Sequence, residues 1–159
     1  MGKSKPRILS VRIERAVDDS PDTSYLGEYS NTAETEWAID RQERGDQGRN
    51  EHRYFNPTMS PEDTGNPDSP EQDYQRMESL NRGDWCCLGI IAKAEVVLTG
   101  GVVQTLHSGG LWGTESDSGE DYLLSIEKEE LANLRTELEA VGFGKRAIDY
   151  AFRSVKRED

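Results

Sequence analysis

Few residues in this chain combine a reactive type with a suggestive spacing, and the densest set is Glu115-Ser-Asp117-Ser-Gly-Glu120-Asp121. Alternate carboxylates in a turn can converge on one cation, as in a calcium loop. Here the EF-hand pattern fails, because the fifth position is not acidic and the glycine is displaced. The same acids suit a helix start, where free N–H groups and the helix dipole favour negative charge, and they also suit a basic partner. Trp112 precedes them, between Gly110 and Gly113. A tryptophan ringed by polar groups can anchor an interface or fill a core. Trp112, Glu115, Asp117, Glu120 and Asp121 therefore make the candidate binding surface, with no metal and no cofactor expected.

His52 and His107 are the only histidines. General acid–base work needs a partner within hydrogen-bond reach, so a small enzyme of unrecognised type would draw on His107, Asp84, Glu95 and Arg53. Neither G-x-S-x-G, G-x-x-x-x-G-K-[ST] nor H-E-x-x-H occurs. Binding rather than catalysis is the expectation. The only cysteines, Cys86 and Cys87, are adjacent. Neighbours on a strand point to opposite faces, so they read as small apolar residues rather than a disulfide or a metal pair.

The charge is strong and uneven. The net value is −12, with −11 in residues 18–75, −7 in 115–140 and +4 in 1–17. Phosphate contacts need clustered Lys and Arg, so direct nucleic-acid binding is not expected, whereas a protein with a basic surface is the natural complement. An environmental origin, in which acidity only serves solubility, is the bland alternative. No apolar run approaches the roughly 20 residues of a membrane helix. The basic start leads into a segment carrying Arg12, Glu14 and Arg15, unlike a secretory signal. The expected address is cytoplasmic.

These residues must be positioned by a modest core, since only 33% of the chain is apolar. The length suits a single domain over 1–159. Residues 7–17 alternate, with Leu9, Val11, Ile13 and Val17 on one face of a strand. Residues 18–69 read as a long loop excursion, pinned to the domain by aromatics. A short helix over 70–82 starts with Ser69 as cap and Gln72 completing a capping box, and stops at Gly83. Residues 85–107 make a hairpin turning at Gly100-Gly101, and Gly109, Gly110 and Gly113 mark a bend or bulge. Two helices fill 118–157. The first has a stripe of Leu123, Ile126, Leu134, Leu138 and Val141, with Glu127, Lys128, Glu137 and Glu139 facing water. Gly142 and Phe143 suit a Schellman ending. The fold class is α+β: a small antiparallel sheet packed against a C-terminal helix pair, with a wrapped loop.

Four segments carry a resemblance: Ser24-Tyr-Leu-Gly-Glu-Tyr-Ser30, Arg53-Tyr-Phe-Asn-Pro57, Asn81-Arg-Gly-Asp-Trp85 and Ser108-Gly-Gly-Leu-Trp-Gly-Thr-Glu-Ser-Asp-Ser118. Together they resemble a family of small proteins encoded by phages, plasmids and bacterial genomes. The resemblance implies no activity and no site residues. It implies a mobile-element setting, in which small accessory proteins act on host machinery. The resulting expectation is a non-catalytic acidic binding protein and, in its most specific form, an inhibitor of a host nucleic-acid-handling or defence complex.

Overall fold

Alternating apolar residues form the strands and a 3.6-residue stripe forms the long helix of the computed structural model, which describes residues 5–46 and 52–158. In chain order the elements are β1 (Arg7–Val17), β2 (Gly27–Ser30), β3 (Ile39–Asp40), β4 (Tyr54–Pro57), α1 (Pro61–Thr64) and α2 (Ser69–Asn81). There follow β5 (Cys87–Val97), β6 (Val103–His107), β7 (Leu111–Glu115), α3 (Glu120–Ala140), α4 (Lys145–Ala151) and β8 (Val155–Glu158). Contacts divide the chain into two compact units, one made of residues up to Pro21 with those from Cys86 onward, the other of Asp22–Trp85.

In the first unit β1 and β5 pair antiparallel, from Arg7 opposite Val97 to Val17 opposite Leu88. β6 and β7 both pair with β5, at Lys93–Val97 and at Cys87–Ile90, as one strand interrupted at Ser108–Gly110. The interruption keeps its backbone partners. Ser108 N–H donates to the Ala92 carbonyl at 2.9 Å, and Ser108 Oγ accepts from Ala92 N–H at 3.0 Å. β8 lies parallel to β1, from Val11 opposite Val155 to Glu14 opposite Glu158. The sheet is thus mixed, in the order β6-β5-β1-β8.

Several sequence expectations need correction here. A bulge between Ile8 and Ser10 turns Leu9 away from Val11 and Ile13, and both Leu9 and Val17 are exposed. The second C-terminal helix stops at Ala151 rather than running to 157, because residues 155–158 supply main-chain partners to the outer edge of β1. Glu127 does not face water, although Lys128, Glu137 and Glu139 do; it is buried among the stripe residues. The core joins Val11, Ile13, Ile90, Ala92, Ala94 and Val96 to Leu123, Ile126, Leu134, Leu138, Phe143 and Ile148. Burial of this apolar surface is what holds helix to sheet. α3 ends in a full Schellman motif: Gly142 at φ 101° donates to Glu139, and Phe143 N–H donates to the Leu138 carbonyl at 3.1 Å. Val141, also assigned to the stripe, is half exposed at this end.

The second unit replaces the expected loop excursion. Its aromatic patches form strands because they meet in register: Tyr29 lies opposite Phe55 in a three-stranded antiparallel sheet, β2-β4-β3. Phe55 packs at a tilt against Tyr29, with ring centres 5.2 Å apart, and against Tyr74 of α2, 5.5 Å apart, making a small aromatic core. The capping box belongs to α1, where Ser60 and Asp63 exchange side-chain and backbone bonds. Ser69 instead bonds Thr64 through its hydroxyl. Trp85 ends this unit rather than opening β5. Its Nε1–H donates to Ser79 Oγ at 2.9 Å, and the Arg76 guanidinium lies 3.6 Å above its ring.

Arg41 closes the second unit. It is 2% exposed, donates to the His52 carbonyl at 2.7 Å and the Asp46 carbonyl at 3.3 Å, stands 3.4 Å from Glu78 and lies over the Tyr29 ring. Burial pushes the Tyr74 phenol from its ordinary 10.0 up to about 12, with Asp46 adding to the shift. Burial and Glu78 also raise Tyr29. A raised folded-state value favours the neutral phenol, so this contribution is complete below the unfolded value and is lost as pH climbs. We expect the second unit to lose stability between pH 10 and about 12, with Tyr74 ionising only as it opens; phenolate absorbance alongside circular dichroism checks this. Phenolate of Tyr74 itself, isolated as the difference from a Tyr74→Phe variant, appearing at pH 10 with intact structure would contradict it.

Candidate functional site

The site is assembled by strand register. In the first unit the helices pack on the Val11–Ile90 side of the sheet. From Ser10 onward, even-numbered residues of β1, with odd-numbered residues of β5, point to the opposite side. There the register sets His107, Lys93, Arg12 and Lys156 in one row across four strands. The neighbouring row holds Ile91, Glu14 and Glu158. Lys93 bonds Glu14 at 2.7 Å, and Arg12 stands 3.5 Å from Glu158. Cations opposite one another would repel; the adjacent acids offset this and leave the face mixed in charge.

Trp112 lies on this face beyond Ile91. β7 is irregular opposite Gly89, between the pairs Leu88–Thr114 and Ile90–Leu111, and Gly113 adopts φ 77°. The indole rests on the Gly89 backbone: a Cβ there would fall 2.2–2.6 Å from three ring atoms. It is nevertheless 49% exposed. One side is therefore seated and the other is presented to solvent. The loop before it is fixed as well, since Gly110 N–H donates to the buried Glu130 carboxylate at 3.0 Å. We expect Gly89→Ala to cost about 1–3 kcal/mol through overpacking. It should also unseat the indole, which tryptophan emission, differenced against a Trp112→Phe variant, will register as a red shift. An unchanged emission would show that the ring is not held by this glycine.

The acidic run divides. Glu115 closes β7 opposite Cys87, and its carbonyl accepts from both the N–H and the hydroxyl of Ser118, which turns the chain into α3. Asp117, Glu120 and Asp121 are exposed. Glu120 is nevertheless used by the fold: Arg15 donates to both its oxygens at 2.8 and 3.2 Å and holds its carboxyl below the usual range. Trp112, Glu115, Asp117, Glu120 and Asp121 thus all lie along β7, the turn and the start of α3, with Glu120 held by Arg15. Among the described residues, no group of three His, Cys, Asp or Glu side chains could hold a metal ion.

The enzymatic candidates fall in both units. His107 Nδ1–H donates to the Ser108 carbonyl at 2.8 Å, and Glu95 lies one row away opposite Thr105. Arg53 and Asp84 belong to the second unit, where Arg53 forks onto Asp40 at 2.9 and 3.2 Å and Asp84 pairs with Arg82. His52 is exposed, Cys86 is half-buried and Cys87 is buried, both as free thiols.

The strongest polar cluster escaped sequence reasoning. Glu127 is 4% exposed and accepts from Arg15 Nε at 2.6 Å and from both terminal nitrogens of Arg157. Its signal is faint: one acid beside Ile126 on the apolar side of α3, with its partners 112 and 30 residues away. No family model, curated protein or solved structure matches the chain.

Proposed function

We propose that this chain is a non-catalytic binding protein that engages a protein with a basic surface through the β7–α3 corner. The observation that carries this reading is Trp112, half exposed yet seated on a backbone where no side chain fits. A rigid aromatic with one open side loses little entropy on docking and is the kind of group that anchors interfaces. Glu115, Asp117 and Asp121 lie within the following turn and supply the charge that a basic surface would meet. In its most specific form, the partner is a host nucleic-acid-handling or defence complex whose basic groove these acids occupy, in the mobile-element setting that the sequence resemblance implies.

Affinity capture from bacterial lysate across a salt series, run in parallel with Trp112→Ala and with Asp117→Asn/Asp121→Asn, tests it. A partner held by the parent chain should be lost with Trp112→Ala and weakened several-fold by the double acid substitution, with steep salt dependence. Retention unaffected by all three changes would sink the proposal.

A further inference from the structure

β1 is eleven residues long, yet on the side away from β5 only Val11–Glu14 are paired, by β8. Among the described residues no other strand lies on that edge. β8 covers it weakly. Lys156, Arg157 and Glu158 are exposed, and only Val155 is partly buried against the core. Its remaining anchors are ionic, with Arg157 on Glu127 and Glu158 3.5 Å from Arg12.

We propose that the outer edge of β1 is a strand-addition site for an extended protein segment, that β8 fills it as a built-in stand-in, and that the incoming segment carries an apolar residue followed two positions later by an arginine. Added strands gain affinity from main-chain hydrogen bonds and specificity from alternate side chains. Position by position, β8 shows what the edge selects. The residue opposite Val11 turns toward the core, the one opposite Ile13 reaches the Glu127 carboxylate, and the one opposite Glu14 meets Arg12. Glu127 is a recognition group buried beside Ile126 on α3, so an uncharged residue at the arginine position would leave part of its bonding unmet.

Exchange is inexpensive because Arg15 keeps its own bond to Glu127 when Arg157 departs, so no bare carboxylate is stranded. A longer segment also outcompetes β8, since it can pair with Arg7–Ser10 and Arg15–Val17, which have no strand partner on that side among the described residues. Short, exposed, polar edge elements are where local opening concentrates.

The test uses the full chain and a labelled peptide carrying Val-Lys-Arg-Glu flanked on both sides by alternating valine and threonine. Releasing the internal competitor with Arg157→Ala should tighten peptide binding by roughly tenfold, because the open edge is more populated. Replacing the peptide's arginine with alanine should weaken binding by roughly tenfold, the same contribution Arg157 makes to β8. Trp112→Ala should leave it unchanged, which separates this site from the β7–α3 corner. In the parent chain, amides bonded between β1 and β8 should exchange at least about tenfold faster than those between β1 and β5. A folded Arg157→Ala protein that ignores the peptide would overturn the proposal. Should that variant not fold, equal exchange rates at the two edges of β1 in the parent would overturn it as well.

Discussion

Glu127→Ala is expected to destabilise the first unit by about 3 kcal/mol, near the lower end of what breaking a buried ion pair costs. The carboxylate is the shared acceptor of two arginines that arrive from different strands, Arg15 on β1 and Arg157 on β8. Its removal leaves Arg15, whose side chain is only 15% exposed, with Glu120 alone. It also leaves β8 without its main side-chain tether. The urea midpoint of the full chain, followed by far-ultraviolet circular dichroism, measures the loss. Glu127→Gln should recover part of it, since the amide oxygen still accepts one of the donors. A loss below about 1 kcal/mol for the alanine variant would mean that the two guanidinium groups find equivalent partners without Glu127.

The second large effect belongs to Arg41. Its guanidinium joins two backbone carbonyls, a carboxylate and an aromatic face while nearly excluded from water. Arg41→Ala removes these donors together and leaves the carbonyls of Asp46 and His52 to be resolvated. We expect a cost of about 3 kcal/mol to the second unit, the sum of unmet acceptors and lost packing. Arg41→Lys should not restore it, because an ammonium cannot fork to both carbonyls and stack on Tyr29 at once. Fluorescence of Trp37 and Trp85, both within Asp22–Trp85, follows the transition. Full stability in the lysine variant would show that charge alone, without the planar fork, suffices.

Period-two and period-3.6 patterning made the sheet and helices of the first unit readable from the residues. Val11, Ile13, Leu134 and Leu138 sit where alternation and the helical stripe place them, and Gly142-Phe143 closes α3 as its local chemistry dictates. Long-range register was not legible. Nothing near Ser10 announces the bulge that turns Leu9 outward, and nothing near Val155 announces a parallel partner at Val11. The second unit was hidden for a related reason. Its strands are two to four residues long, too short for alternation to register, and its core is three aromatic rings brought together from β2, β4 and α2. Trp112 could be singled out from its flanking glycines. The residue that seats it, Gly89, could not, because its role depends on a cross-strand neighbour. Glu127 was misread because helix periodicity assigns a face and not a partner.

The place where the second unit enters the chain bears on how the protein is made. It interrupts what would otherwise be an ordinary hairpin: β1 and β5 are adjacent strands, and Asp18 N–H still bonds the Cys87 carbonyl at 2.8 Å as though a tight turn joined them. Closing an unstructured loop of this length costs roughly 4 kcal/mol of chain entropy before the first pair rewards it. A segment that folds on its own brings its two ends within reach and removes most of that burden. If the second unit forms first during synthesis, a lesion that slows the aromatic core at Phe55 should surface as a delay in β1 meeting β5, far away in sequence from the change itself.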